Sequence, residues 1–199
     1  MKNLYLRSML AAACAATLAA CGGSGGNLYL QVQVGGLTKD GLILLNDGER
    51  LPVTAGLSTV VFTKLVKNDD RYDITIAQQP KGAVCTMING VGKASSYSVT
   101  TAAVSCKTNS YPLSGTITGL TAGGLRLVMG PNGTSPLAGV SSYEFTSVAD
   151  GAAYGISILT QPTGLTCRFQ GSKSADGSDT VGTMGSAATT AATLDCTPQ

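Results

Sequence analysis

The stretch Tyr72–Cys85, YDITIAQQPKGAVC, decides the fold of this 199-residue chain because it is written twice. It returns as YGISILTQPTGLTC at Tyr154–Cys167, with the tyrosine, both isoleucines, Gln-Pro, the glycine and the cysteine in the same places. The isoleucines alternate with small or polar residues, and this period of two is typical of a strand with one buried face. Gln-Pro-x-Gly predicts a turn, since proline fixes φ at its second position and glycine suits the fourth.

Shorter matches on both sides extend the repeat over almost the whole chain. They pair Gly36-Leu37-Thr38 with Gly119-Leu120-Thr121, Gly41-Leu42 with Gly124-Leu125, Ala55-Gly56 with Ala138-Gly139, and Phe62-Thr63 with Phe145-Thr146. Each copy also ends with a second cysteine, Cys106 or Cys196. Because self-similarity of this kind marks a repeat architecture, we predict two tandem units, 27–107 and 108–199.

Each unit has the pattern of an all-β domain, with short alternating segments separated by turn residues. In the first unit the predicted strands are 28–34, 42–46, 51–54, 58–63, 72–78, 84–89 and 97–106, the last one broken or continuous. About seven strands in a unit of this size predict a β-sandwich of immunoglobulin-like architecture. Four aromatic residues are spaced as core residues: Tyr72, Tyr154, Phe62 and Phe145.

The full repeat reads G-L-x-x-x-G-L, then F, then Y-x-[IV]-x-[IV]-x-x-Q-P-x-G-x-x-C, then a closing cysteine. This pattern resembles the tandem Ig-like repeats of bacterial surface lipoproteins and secreted proteins. The first unit also has Asn89-Gly90-Val91-Gly92, close to the N-G-x-G that such repeats favour, whereas the second has Gly171-Ser172 followed by a longer stretch. The resemblance implies an extracytoplasmic repeat module and no shared catalytic constellation.

The first 20 residues have the layout of an export signal, with Lys2 and Arg7 before an uncharged run over 8–18. That run is too short to cross a bilayer as a helix. Leu18-Ala19-Ala20-Cys21 follows and resembles the lipobox of bacterial lipoproteins, in which the cysteine is lipidated and becomes the first residue. We therefore predict a lipoprotein signal peptide over 1–20 and lipidation of Cys21. The alternative is an ordinary signal peptide that leaves Cys21 as a free thiol.

Residues 21–26 are glycine- and serine-rich after the cysteine, which is the composition of a flexible tether. Gly22 stands where lipoproteins retained in the inner membrane often carry Asp. By that resemblance we expect a lipid-anchored protein of the cell envelope in the outer membrane, on its periplasmic side or at the cell surface.

Four cysteines remain after the signal and the anchor, two in each unit. Export implies an oxidising compartment in which such pairs form disulfides. Three pairings are open on paper, and the duplication favours Cys85–Cys106 and Cys167–Cys196. Each bridge would contribute about 3 kcal/mol in the chain-entropy model, which matters for domains this small.

The composition excludes several classes of site. The chain has no histidine, which removes Ser-His-Asp triads, Cys-His dyads and His-ligated metals, and no C-x-x-C spacing suggests another metal site. Without the signal, which holds Lys2 and Arg7, the 13 basic residues become 11 against 11 acidic ones. A neutral chain gives no electrostatic footprint for nucleic acid. We expect no nucleic-acid partner, no cofactor, no metal and no enzymatic activity.

The second unit has eight more residues between its cysteines than the first, and Gly171–Gly185 has the composition of a mobile surface loop. Asp176 and Asp179 in it are the candidate ligand residues, although two aspartates are few for a Ca²⁺ site. The leading hypothesis is a lipid-anchored, non-catalytic structural, spacer or adhesion module, with the membrane and an envelope protein, host protein or glycan as partners. The alternative is a glycan- or small-ligand-binding protein that uses this loop.

Overall fold

The computed structural model describes residues 28–199 of the chain. The predicted signal peptide, Cys21 and the tether lie outside the described residues. Within 28–199 the chain is all-β, as the sequence predicts, and one 3₁₀ turn, Ser98–Thr100, accompanies the strands.

The first half of the described chain contains nine strands. They are β1 (Gln31–Gly35), β2 (Leu42–Asn46), β3 (Glu49–Val53), β4 (Thr59–Val61), β5 (Arg71–Asp73), β6 (Thr75–Gln78), β7 (Ala83–Ile88), β8 (Val91–Lys93) and β9 (Ala102–Thr108). The second half contains the other nine. They are β10 (Ser110–Thr118), β11 (Arg126–Met129), β12 (Asn132–Thr134), β13 (Ser142–Ala149), β14 (Ala153–Thr160), β15 (Leu165–Phe169), β16 (Asp179–Thr183), β17 (Thr189–Thr190) and β18 (Leu194–Pro198).

The strands pair in the same way in both halves. One sheet has the order β4-β1-β9-β7 in the first half and β13-β10-β18-β15 in the second, where β17 also pairs with β10. In the first half the opposing side is formed by the sheet β3-β2-β6 and the pair β5-β8. In the second half it is the sheet β12-β11-β14-β16. The first strand of each half runs parallel to the last, β1 beside β9 and β10 beside β18. Every strand pairing in 28–199 therefore stays within one half, and each half is a sandwich.

Each half also has its own hydrophobic core between its two sheets. Phe62 and Phe145 are fully or nearly fully buried at homologous places, as predicted, and so is Tyr72. Tyr154, predicted in the same way, is only partly buried. The alternation of apolar residues along the strands thus explains the packing.

Strand β8 is absent from the sequence prediction because it is three residues long and carries a glycine. It pairs with β5 through Tyr72 and Gly92, and the tyrosine ring lies where a Cβ on Gly92 would stand, 2.6 Å from the hydroxyl oxygen. Tyr154 and Gly182 repeat this arrangement in the second half. The counterpart of the N-G-x-G segment is therefore at Val181-Gly182 and not at Gly171-Ser172, because the eight extra residues come before it.

Beyond shifts of one to three residues at most strand ends, two further segments differ from the sequence prediction. The predicted strand 97–106 is broken, with the 3₁₀ turn before β9, which then continues to Thr108. The predicted strand 72–78 is two strands, because the backbone leaves the ladder at Ile74, whose N–H donates to the oxygen of Gly90 at 2.7 Å.

Candidate functional site

Both predicted disulfides are present, Cys85–Cys106 and Cys167–Cys196. Each joins directly opposite residues of neighbouring antiparallel strands in one sheet, with Cα atoms 3.9 Å apart. In antibody domains the conserved bridge instead connects the two sheets. The four cysteines are buried and bonded, and their place in the fold is structural.

The glutamine of Gln-Pro-x-Gly has a role that sequence analysis missed. The Gln79 side chain accepts from the N–H of Cys85 at 2.8 Å and donates to its carbonyl oxygen at 2.9 Å. Cys85 faces Cys106 at a short Cα distance, as in a non-hydrogen-bonded pair, so its backbone groups point away from β9. Since β7 is the last strand of its sheet, the amide of Gln79 occupies the place of a neighbouring strand.

The second half closes the same sheet edge more completely. Gln161 makes the same two hydrogen bonds to Cys167, at 2.8 and 3.0 Å. The N–H of Phe169 donates to the oxygen of Gly177, at 2.8 Å, in the segment that the first half lacks. The eight extra residues therefore cover the open side of β15, which blunts an exposed edge.

Asp176 and Asp179, the predicted ligand residues, lie in that segment and bond within it. Asp176 is exposed and accepts from the N–H of Ser178 at 3.1 Å, while Asp179 accepts from the hydroxyl of Ser172 at 3.0 Å. Hydrogen bonds from Ser178 lower the pKa of Asp176. Asp179 also begins β16, which pairs with β14. The prediction of a mobile loop is therefore wrong over 179–183. The hydroxyl of Ser172, which donates to Asp179, also lies 2.8 Å from the hydroxyl of Ser174, so the carboxylates belong to a local network with serines.

A second candidate region, which the sequence analysis did not find, is the junction between the halves. One residue, Asn109, separates β9 from β10. Its N–H donates to the oxygen of Gly82 in the first half, and its carbonyl oxygen accepts from the N–H of Asp150 in the second, both at 2.9 Å. The connection is therefore fixed by backbone hydrogen bonds to both sides.

Asp150 and Lys39 add an ion pair across this junction. Lys39 Nζ lies 2.9 Å from Oδ1 of Asp150, whose side chain is only 7% exposed. The hydrogen bond from Lys39 is the main cause that lowers the pKa of Asp150, and the charges of Lys39 and Lys81 act in the same direction, against the effect of desolvation. Gly82 lies so close that a Cβ there would be 2.5 Å from Cγ of Asp150. The halves meet through a short, closely packed contact.

An open groove of about 580 Å³ runs beside the same junction. Val84, Lys107, Asn109, Tyr111 and Ser147 contribute to its lining. The side-chain amide of Asn109 donates to the Tyr111 hydroxyl at 3.2 Å, which fixes the ring, and Ser147 has a left-handed backbone with φ of 60°. The groove therefore has a defined shape with mixed polar and apolar walls.

Within the residues that the structure describes, no three His, Cys, Asp or Glu side chains converge on a point where they could hold a metal. The same residues include no helix with the length and hydropathy for a membrane crossing. A comparison with protein-family models gives no match to this chain, and a comparison with curated proteins gives none either.

Proposed function

We propose that this chain is a lipid-anchored protein of the bacterial cell envelope whose two β-sandwich halves act as a stiff, non-catalytic spacer or interaction module. The anchor is Cys21 in the lipobox-like Leu18–Cys21 segment, and the membrane is the outer membrane. The partner at the far end is a protein or glycan of the envelope or the host.

The observation that carries the spacer role is the braced junction at Asn109. Two domains joined by a flexible linker reorient freely, and a linker of six glycines and serines would allow that. Here one residue connects the last strand of one half to the first strand of the next, and an ion pair and two backbone hydrogen bonds hold it. A junction held in this way restricts rotation of one half against the other, so the two ends of the molecule stay at a fixed separation.

The disulfides support the envelope location. Bonds such as Cys85–Cys106 persist in oxidising compartments and are rare in a reducing cytoplasm. Both sandwiches carry one at the same place, so the stabilisation was kept through the duplication.

The alternative role, ligand binding by the loop of the second half, is not part of this proposal. Asp176 and Asp179 bond to serines of their own segment, and that segment covers the edge of β15. These contacts give the extra residues a structural role that needs no ligand.

The test is the mass and detergent partitioning of the protein extracted from membranes. We expect the mass of the chain from Cys21 plus attached acyl chains, four oxidised thiols, and partitioning into the detergent phase. Cys21→Ala should move the protein to the aqueous phase, because two or more chains are needed for lasting anchorage. Cys14→Ala changes the cysteine within the predicted signal peptide. It is the matched control and should leave partitioning unchanged. An unmodified Cys21 would contradict the proposal.

A further inference from the structure

The described chain begins at one end of the first half, and several other segments meet at that end. Leu28 pairs with Val66 through backbone hydrogen bonds of 2.7 and 3.0 Å. Strand β9 runs parallel to β1, with Ala102 opposite Val32, so the segment 89–101 that precedes β9 lies at the same end as Leu28. The end of β7 arrives there too, because Ile88 lies opposite Ala103 in an antiparallel pair.

This end exposes large apolar and aromatic side chains. Tyr97 is 88% exposed and Val91 is 70% exposed, and Tyr29 and Ile88 are exposed as well. We call these four residues the anchor-proximal face, which wraps around this end of the sandwich, because Ile88 is on β7 in one sheet and Val91 is on β8 beside the other. Tyrosine has an apolar ring and a polar hydroxyl, and such side chains are enriched at the boundary between a bilayer and water.

The homologous end of the second half is covered in part. Its backbone is the same, since Met184 N donates to Ala152 O as Ala94 N donates to Asp70 O, both at 2.8 Å. In the second half this end carries Asp150 and packs against the first half. Val181 and Gln170, the counterparts of Val91 and Ile88, stay exposed, so the contact with the first half uses the Asp150 side of this end and not the whole of it.

The chain outside the structure limits what this face can meet. Six residues lie between Cys21 and Leu28, and the seven steps from one Cα atom to the next span at most about 25 Å when fully extended. If Cys21 is held by lipid, as in the proposed function on which this inference rests, the face stays within that distance of the bilayer. A short tether of this kind gives a local concentration in the millimolar range, so even a weak surface affinity is enough.

We propose that the anchor-proximal face docks onto the lipid surface of the membrane that holds the anchor, so that the first half rests on the bilayer and the second half points away from it. Charge plays a small part, because this end carries both signs. Lys64 is paired with Asp47, and Arg71 follows Asp69 and Asp70. Docking should therefore occur on zwitterionic lipid and depend little on salt.

The test uses the absence of tryptophan from the chain, which makes a single introduced tryptophan a clean reporter. Tyr97→Trp places it in the anchor-proximal face, and Leu137→Trp is the matched control in the second half, at a side chain that is 75% exposed. Leu137 lies near Gly139, which bonds to Leu120 beyond the end of β10, far from the junction and from Leu28. Membrane-extracted protein is reconstituted in phosphatidylcholine vesicles with or without brominated acyl chains.

We expect the Tyr97→Trp emission to shift to the blue and to lose intensity with brominated lipid, and the Leu137→Trp emission to change in neither way. Adding Val91→Asp to Tyr97→Trp should abolish the shift and the quenching. Equal, unquenched emission from both reporters would overturn the proposal. So would a blue shift that grows with protein density in vesicles without quenching, since this would identify a second copy as the occupant.

Failure of docking and failure of anchoring are distinguishable. Flotation of the same vesicles reports whether the protein is anchored. If it does not float, a maleimide lipid is coupled to the free thiol of the chain that begins at Cys21, with its disulfides formed. Quenching in that tethered sample supports docking even if natural lipidation fails, and no quenching overturns it.

Discussion

Lys39 of the first half donates to Asp150 of the second across the junction, with Nζ 2.9 Å from Oδ1. The pair is not part of the repeat. At the homologous positions the second half has Ala122 where the first has Lys39, and the first half has Asn68 where the second has Asp150. The contact therefore belongs to the junction and not to the repeated unit.

Removing one partner of this pair should loosen the junction. Lys39→Ala leaves the buried carboxylate without its cation, which is worse than losing both charges. We expect cleavage near Asn109 by a broad-specificity protease to become several-fold faster, because local opening controls such cleavage.

The control for that experiment is Lys107→Ala, which removes an exposed lysine of the same region that has no contact with Asp150. It should cleave at the wild-type rate. The double variant Lys39→Ala with Asp150→Ala should be less affected than the sum of the single variants, since the two residues are coupled. Additive effects would contradict a direct pair.

The pair should also make stability depend on pH. The folded-state pKa of Asp150 is lowered below its unfolded value, which is about 3.9 for aspartate. Its contribution is thus fully present above that value and is lost as the pH falls through the folded pKa. We expect the difference in Tm between wild type and Asp150→Asn to be constant from pH 7 to about 5 and to shrink at lower pH. A difference that stays constant down to pH 2 would exclude this carboxylate as the titrating group.

The glutamine clamps should contribute measurably to stability. Gln79→Ala removes two hydrogen bonds to the backbone of Cys85, and we expect a loss of about 1–2 kcal/mol in the free energy of unfolding. Gln79→Glu keeps the acceptor but sets a carboxylate oxygen against the carbonyl oxygen of Cys85, so its effect should be at least as large as that of alanine. Denaturant unfolding measures both changes.

Gln33→Ala is the control, because Gln33 is exposed on β1, and it should change stability by less than about 0.5 kcal/mol. Gln161→Ala should repeat the effect of Gln79→Ala on the second half, where the same clamp holds Cys167. An unchanged unfolding midpoint for both clamp variants would show that water replaces the amide without cost.

Substitution of two glycines in the second half distinguishes the cost of backbone strain from the cost of a steric clash. Gly119 and Gly139 both have positive φ, 68° and 83°. A Cβ on Gly119 would lie 2.1 Å from the oxygen of Cys196, whereas one on Gly139 would meet nothing within 4 Å. Gly139→Ala should therefore cost about 1 kcal/mol, the strain alone. Gly119→Ala should cost about 4 kcal/mol or more, because the backbone of β18 cannot move away. Similar midpoints in thermal unfolding would contradict the close approach.

Much of this fold follows from patterns that the two copies share. Alternation in the Tyr72–Ile76 and Tyr154–Ile158 stretches gives strands with a buried face, and the paired cysteines give the bridges. Comparing the copies also finds the glutamine, although its role appears only when Cys85 is seen on a sheet edge.

The features that could not be predicted from the sequence are those that the two copies do not share. Lys39 and Asp150 are 111 residues apart and have no homologous pair, so no periodicity or motif marks them. The segment with Asp176 and Asp179 has loop composition, and only the pairing of β16 with β14 shows that 179–183 is a strand. Short elements such as β8 depend on tertiary contact, here the Tyr72 ring over Gly92, more than on local propensity.

The glutamine side chains at the sheet edges have a consequence when many copies of the protein lie close together. If the protein is held in a membrane by the proposed lipid anchor, its copies collide far more often than in solution, and an unprotected sheet edge would then favour strand pairing between copies. Gln79 and Gln161 each satisfy the outward backbone groups of one residue on a terminal strand, Cys85 or Cys167, so these groups are not free to pair with a neighbouring copy.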